Sequence, residues 1–129
     1  MWIALKSPYF PTDRHNMAKE HAISRRGRLS VSFPVRFRPY GLAASWQRGI
    51  GLNLSAEGLA CLSSLLALPP PGIVYEMEIW GVIPGQLEQP VHIYAESRWS
   101  TLVSGGSKMG FQAADEPSRT KLTQILSAL

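Results

Sequence analysis

The stretch Asn53-Leu54-Ser55-Ala56-Glu57-Gly58 places a short polar turn between two apolar runs. Before it, Ile50 and Leu52 alternate with glycines, which is the two-residue period of a β-strand. After it, the apolar run restarts at residues 59–62. Asn and Ser side chains bond to nearby backbone and Gly tolerates positive φ. The stretch therefore predicts a tight turn that joins two strands.

The segments on both sides of this turn show the same alternation of apolar and polar residues. Residues 29–38 give the strongest strand pattern, and further strands are predicted near 73–82, 91–99 and 108–112. Val91, Ile93, Ala95, Ser97 and Trp99 are expected on one face of the fifth strand. Pro34, on the outward side of the first strand, indicates an edge strand or a bulge, because proline cannot donate to a ladder.

The last segment has a helical period. Leu122, Ile125, Leu126 and Leu129 are spaced as in a helix, and Asp115-Glu116-Pro117 supplies an acidic start with proline in the first turn. Six short strands followed by one helix predict an all-β fold. We expect a six-stranded antiparallel barrel closed by the C-terminal helix.

Charge is unevenly distributed along the 129 residues, which carry a formal net charge of +4. Through Arg48 there are nine basic against two acidic residues, and after it four basic against seven acidic. We expect residues 1–22 to form a mobile N-terminal arm and residues 23–129 one barrel domain. A basic arm before a mildly acidic body points to an anionic partner, although a solvated basic tail is the alternative.

Several classes of protein and site are disfavoured by what the sequence lacks. The single cysteine, Cys61, excludes an internal disulfide framework and a cysteine-based zinc site, and its apolar neighbours predict a small core residue. No apolar run approaches the ~20 residues that span a bilayer, so we expect a cytoplasmic protein without membrane insertion. Either Met1 or Met17 is compatible with the translation start.

Catalytic patterns are also missing. His92 stands alone on the polar side of a strand, and no histidine pair has metal-ligand spacing. There is no Gly-rich phosphate loop before a helix and no nucleophile beside a base in a known pattern. We expect a protein that is not an enzyme, with no catalytic residues, no metal and no cofactor.

The basic cluster Arg25-Arg26-Gly27-Arg28 lies just before the first strand. A guanidinium can donate two hydrogen bonds to a phosphate and can also stack on a base. Gly27 lets the backbone bend so that neighbouring arginines reach the same side. Together with the Asn53–Gly58 turn, this cluster predicts a site for an anionic, planar, phosphate-bearing ligand; a solvated linker is the alternative for the cluster alone.

This combination resembles the PilZ domain family. The resemblance rests on Phe33-Pro34-Val35-Arg36-Phe37, which is similar to the family's first strand, and on Asn53-Leu54-Ser55-Ala56-Glu57-Gly58-Leu59, which is similar to its Asp/Asn-x-Ser-x-x-Gly motif. Ala95-Glu96-Ser97-Arg98-Trp99 and Lys108-Met109-Gly110-Phe111-Gln112 look like its closing strands. The resemblance covers about residues 24–126.

The resemblance implies a split-barrel type of fold and a receptor for the bacterial second messenger cyclic di-GMP. Arginines of the family's Arg-x-x-x-Arg motif meet the phosphates and stack on guanine, and the Asn and Ser contact guanine. Arg28 corresponds to the second arginine, whereas the first falls on Ser24, so that Arg25 or Arg26 would take its place. The site residues implied are Arg25, Arg26, Arg28, Asn53, Ser55 and Gly58.

Three functions follow from these observations. The first is a cyclic di-GMP receptor that controls motility, pili, biofilm or exopolysaccharide through a downstream protein partner. The second is a degenerate PilZ-type adaptor that acts through protein contacts without the nucleotide. The third, a barrel for single-stranded nucleic acid, is disfavoured because it needs several exposed aromatic residues and Tyr94 stands alone on its strand face. Trp46, Trp80 and Trp99 are candidate stacking platforms, although packing in the core or at its rim is favoured for each.

Overall fold

The computed structural model describes residues 32–65, 68–83, 85 and 88–128. Within these ranges, six strands and one helix form in the order β1 (Phe33–Pro39), β2 (Gln47–Leu54), β3 (Gly58–Ser63), β4 (Val74–Ile79), β5 (Val91–Val103), β6 (Gly106–Ala113) and α1 (Glu116–Ala128). The strands pair antiparallel and close into a barrel in the order β1-β2-β3-β6-β5-β4. The predicted barrel with a C-terminal helix is confirmed. The predicted N-terminal arm lies outside the described residues.

The interior of the barrel is filled by the side chains that point inward at alternate positions of its strands. Phe37 lies near its centre, with ring centroids 5.7 Å from Tyr75 and 5.6 Å from Phe111. Full burial of such a side chain contributes roughly 1.5–3 kcal/mol. Helix α1 buries Leu122 and Ile125, so the helix covers the barrel with the face that its spacing predicted.

Pro34 does not mark an edge or a bulge, and this prediction is wrong. Strand β1 is paired on both sides, with β2 and with β4, because the barrel is closed. The register with β4 begins one residue later, at Val35 opposite Ile79. Pro34 accepts a hydrogen bond of 2.9 Å from the Trp80 N–H through its carbonyl. Its missing N–H therefore falls beyond the last register pair of that ladder.

Two register shifts break the simple alternation of the strands. One lies between Gly51 and Asn53 on β2, and the other between Ser97 and Trp99 on β5. Each leaves one extra residue on its strand, which reverses the side-chain phase beyond it. Trp99 is consequently 46% exposed. Its predicted place, on the same face as the buried Ile93, is wrong.

Ser97 fixes the backbone immediately before the second bulge. Its side chain is 2% exposed. Its Oγ donates to the Pro70 carbonyl at 2.8 Å and accepts from the Ile73 N–H at 3.1 Å. The backbone of Ser97 also bonds to Gly72 and Ile73. This hydroxyl therefore ties residues 70–73 to β5 where the strand changes phase.

Replacing Ser97 with alanine is expected to lower the free energy of unfolding by about 1–3 kcal/mol, because the Ile73 N–H and the Pro70 carbonyl both lose a buried partner. Urea denaturation followed by circular dichroism measures the loss. Ser100→Ala is the matched control, since Ser100 Oγ makes one longer bond, 3.3 Å to the Pro69 carbonyl. Equal losses in the two variants would contradict the role assigned to Ser97.

Candidate ligand-binding site

The turn between β2 and β3 is closed by its own hydrogen bonds. The Ser55 N–H donates to the Gly58 carbonyl at 2.9 Å, and the Gly58 N–H donates to the Ser55 carbonyl at 3.4 Å. Ser55 Oγ accepts from the Glu57 N–H at 3.2 Å. The tight turn expected from the polar stretch is confirmed. Ser55 bonds to nearby backbone as expected, but the Asn53 side chain does not bond to the described residues and Gly58 does not adopt a positive φ, so these two parts of the prediction are wrong.

Gly58 is required at the end of this turn because β3 and β6 approach closely. A Cβ on Gly58 would overlap the carbonyl oxygen of Phe111 and lie 2.9 Å from the Cα of Gln112. Beside it, the Ala113 N–H donates to the Glu57 carbonyl at 2.8 Å. The turn is thus locked to the neighbouring strand by backbone groups alone.

Four residues form one row across the outer surface of the barrel. Asn53 on β2 lies opposite Ala60 on β3, Ala60 opposite Gly110 on β6, and Gly110 opposite Trp99 on β5. Ala60 and Gly110 are small, and the Trp99 indole lies over Gly110, where a Cβ would overlap its ring. The row makes a groove with a small-residue floor, a carboxamide at one end and an indole at the other.

Both ends of this groove depend on the two bulges. The bulge on β2 precedes Asn53, and the bulge on β5 precedes Trp99. Among the described residues, the half-buried Asn53 carboxamide has no hydrogen-bond partner. Its donor and its acceptor are therefore both available to a molecule in the groove.

The groove belongs to a partly open cavity of about 340 Å³. Its lining residues are Asn53, Ser55, Glu57, Gly58, Leu59, Ala60, Arg98, Trp99, Lys108, Gly110, Phe111 and Gln112. Arg98 is the extra residue of the β5 bulge, and its Nη1 lies 3.6 Å from a carboxylate oxygen of Glu96. The cavity combines two cations, one carboxylate, an aromatic plane and two carboxamides, and its cations outnumber its carboxylate, which suits a planar, anionic ligand.

Comparison with solved structures connects this barrel to one group of proteins. It is similar to an inhibitor of motility, MotI/DgrA, of Bacillus subtilis, with 20% identity, a TM-score of 0.57 and 78% of this chain covered. The chain spans 47% of the length of that protein. It is similar to the PilZ domain of CeSA from a cellulose-synthesizing bacterium, with 13% identity, a TM-score of 0.57 and coverage of 78% and 94% of the two chains.

A third similar structure is the PilZ domain of YcgR from Escherichia coli, solved with c-di-GMP. The identity is 17%, the TM-score 0.56, and the match covers 79% of this chain and 87% of the other. The chain folds as a PilZ-like domain. No family model and no curated protein matches its sequence. The fold expected from the resemblance is therefore supported by three-dimensional shape.

The structure brings one half of the predicted site together. Asn53, Ser55 and Gly58 line the same cavity of the PilZ-like domain. Arg25, Arg26 and Arg28 lie outside the described residues, so their place in the site stays a prediction.

Sequence reasoning did not assign Arg98, Trp99 and Lys108 to the site. One sequence signal was present for Trp99. A glycine inside a predicted strand, here Gly110, indicates a close approach by a neighbouring group. The two cations, Arg98 and Lys108, had no such signal, because their positions in the cavity depend on the register of β5 and β6.

Three further features of the described residues concern the cysteine, metal binding and membrane spanning. Cys61 is fully buried, as predicted, and burial raises the pKa of its thiol to about 12. No group of three or more His, Cys, Asp or Glu residues in the described ranges could hold a metal ion. Within those ranges, no helix has the length and apolar character needed to span a bilayer.

Proposed function

We propose that this PilZ-like domain is a cyclic di-GMP receptor in bacterial second-messenger signalling. The observation that carries the proposal is the row in which the Asn53 carboxamide faces the Trp99 indole across a floor of small residues. A purine has a flat face and an edge of alternating donors and acceptors. The groove offers an aromatic plane for the face and a carboxamide for the edge.

Ser55 has a second role besides closing the turn. Its hydroxyl oxygen accepts from the Glu57 N–H, while in the described part of the chain its own proton has only the Gly58 carbonyl at 3.5 Å as an acceptor. This is a long contact, at the outer limit of hydrogen bonding. The proton can turn instead to an acceptor on the guanine edge. Asn53 and Ser55 would then contact the base together, as the resemblance implies.

Cations are needed for the two phosphates of the ligand. Lys108 and Arg98 line the cavity and supply part of this charge. Arg25, Arg26 and Arg28 are proposed to supply the remainder, since guanidinium groups bind phosphate oxygens through paired N–H donors. Binding itself changes no covalent bond of the ligand, so this is a receptor and not an enzyme. Its output is proposed to be control of motility, pili, biofilm or exopolysaccharide through a downstream protein in the cytoplasm.

The second candidate is an adaptor of the same fold that does not bind the nucleotide. Ser24 at the position expected for the first arginine favours it. This adaptor would keep the barrel and the turn while its partner binds another surface.

Calorimetric titration of the full chain with cyclic di-GMP tests the proposal. We expect saturable binding, with cyclic di-AMP weaker by about tenfold or more, since the two ligands share a backbone and differ in the base edge that meets Asn53. Quenching of tryptophan fluorescence by the same titration reports on the Trp99 end of the groove. No heat at high cyclic di-GMP concentration would reject the receptor and leave the adaptor.

A further inference from the structure

The opposite wall of the barrel carries a second ordered set of polar side chains. The groove lies on β2, β3, β6 and the distal half of β5, whereas this set lies on β1, β4 and the start of β5. On it, Arg36 Nε lies 2.7 Å from Glu78 Oε1, and Arg38 Nε lies 2.6 Å from Glu76 Oε1. Both arginines extend outward from one face of β1.

Trp46 holds the two guanidinium groups in place. Their central carbon atoms lie 4.4 Å (Arg36) and 4.2 Å (Arg38) from the centroid of its ring. Each such contact is favourable, because a guanidinium is attracted to the electron-rich face of an indole. We call Arg36, Arg38 and Trp46 the arginine–tryptophan face. It is a rigid platform, since every guanidinium is fixed by both a carboxylate and an indole.

The carboxylates of this wall are already engaged. Glu76 accepts from Arg38 at one oxygen and contacts His92 Nε2 at the other, at 3.0 Å. The hydrogen bonds with His92 and Arg38 hold the pKa of Glu76 below its usual value. The side chains of Glu76 and Glu78 are only 19% and 16% exposed. The two carboxylates are therefore largely covered, and each is paired with one arginine.

The positive groups point the other way. Toward the described residues, Arg36 and Arg38 donate only through Nε, and their side chains are 38% and 32% exposed. Each guanidinium thus keeps its paired Nη donors for another acceptor. The register also sets Arg48 directly opposite Arg36. Like charges in this position repel, and the Glu78 carboxylate offsets this repulsion beside Arg36.

An aromatic pair is connected to these cations through His92 and Glu76, and an exposed leucine follows β1 in sequence. Tyr40 is 61% exposed, and its ring meets Tyr94 edge to face with centroids 5.1 Å apart. Leu42, in the segment between β1 and β2, is 63% exposed. Tyrosine, tryptophan and arginine are the residue types that dominate binding energy in protein interfaces. The sequence analysis placed Tyr94 alone on its strand face, and this prediction is wrong because the ring contacts Tyr40.

We propose that the arginine–tryptophan face is a docking surface for an acidic, extended segment of a partner protein. Arg36 and Arg38 are two residues apart on one strand, so their side chains emerge about 7 Å from each other. Carboxylates two residues apart on an extended partner segment have the same spacing. Each would accept the paired Nη donors of one arginine, and a neighbouring apolar side chain would pack on Tyr40 and Leu42.

Nucleic acid fits this wall less well. Its phosphates are also regularly spaced, but Glu76 and Glu78 lie directly beneath the arginines and keep the wall only weakly positive. Backbone phosphates bind best where cations are numerous and unopposed. The proposal does not depend on the cyclic di-GMP site, because the arginine–tryptophan face shares no residue with the lining of the cavity.

Fluorescence anisotropy of a labelled peptide against the full chain tests the proposal. The probe is an extended peptide with two glutamates two positions apart beside a phenylalanine, and the matched control peptide carries glutamines instead. We expect the glutamate peptide to bind and the glutamine peptide to bind about tenfold more weakly. The double variant Arg36→Gln/Arg38→Gln is expected to lose binding by about tenfold or more, because both paired donor sets are removed.

Two further variants separate docking from folding and from net charge. Arg36→Lys/Arg38→Lys keeps the charge and the pairing with the glutamates but removes the paired Nη donors. We expect the affinity for the glutamate peptide to fall by about threefold. Arg119→Gln removes an exposed cation that pairs with Glu116 on α1, and no loss is expected. Equal weakening by Arg119→Gln and the double variants would overturn the proposal, as would tighter binding of a single-stranded oligothymidylate than of the glutamate peptide. Cyclic di-GMP binding by the double variants is expected to be unchanged.

Discussion

Replacing Gly58 with alanine is expected to lower the free energy of unfolding by about 3 kcal/mol, a large part of the 5–15 kcal/mol that a domain of this kind has. The new Cβ would overlap the Phe111 carbonyl oxygen, which is backbone and cannot rotate away. The overlap is removed only if β3 and β6 move apart. This separation lengthens the backbone hydrogen bonds between the two strands, beginning at the pair Gly58 and Gln112. Urea denaturation measured by circular dichroism gives the loss directly.

Two other glycines serve as matched controls for this variant. At Gly110 the three atoms nearest to an added Cβ all belong to the indole of Trp99, which is half exposed and can swing outward. At Gly41 nothing lies within 4 Å, but φ is +81°, so alanine there costs about 1–2 kcal/mol of backbone strain. We expect Gly58→Ala to be the most destabilising of the three. A loss no larger than that of Gly41→Ala would contradict the close approach of β3 and β6.

Features that depend on neighbours in sequence could be predicted. The turn at residues 55–58 is closed by the Ser55 hydroxyl and by backbone bonds between Ser55 and Gly58, and the structure shows those bonds, whereas the Asn53 side chain takes no part in them. The alternation of Phe33, Val35 and Phe37 fixed the inward face of β1, since side chains of a strand point alternately to its two sides. The spacing of Leu122 and Ile125 likewise predicted the buried face of α1.

Features that depend on partners far along the chain could not be predicted. Whether a strand contains a bulge is decided by its register with another strand, and one extra residue at Arg98 turned Trp99 from the interior to the groove. The arginine–tryptophan face needs Arg38 to meet Glu76, a residue 38 positions away. Alternation shows which side a residue faces, but it does not show which residues of other strands share that side.

Replacing Asn53 with alanine is expected to weaken cyclic di-GMP binding by about tenfold or more while leaving the free energy of unfolding within about 0.5 kcal/mol of the wild type. The carboxamide bonds to no other described residue, so its removal leaves no buried group unpaired in the free protein. In the complex the same removal leaves the guanine edge without its donor and acceptor. Calorimetry and urea denaturation of one preparation measure both quantities.

The matched variants decide whether the carboxamide itself is responsible. Asn53→Asp keeps an acceptor of the same shape, and the motif seen in PilZ domains accepts either residue, so we expect this variant to keep most of the affinity. Gln112→Ala removes a carboxamide that is exposed at the edge of the same cavity, and we expect a loss of less than about threefold. If Gln112→Ala weakened binding as much as Asn53→Ala, the base edge would have to lie on β6 and not at the end of β2. If Asn53→Ala also destabilised the fold, the turn and not the ligand contact would explain the loss.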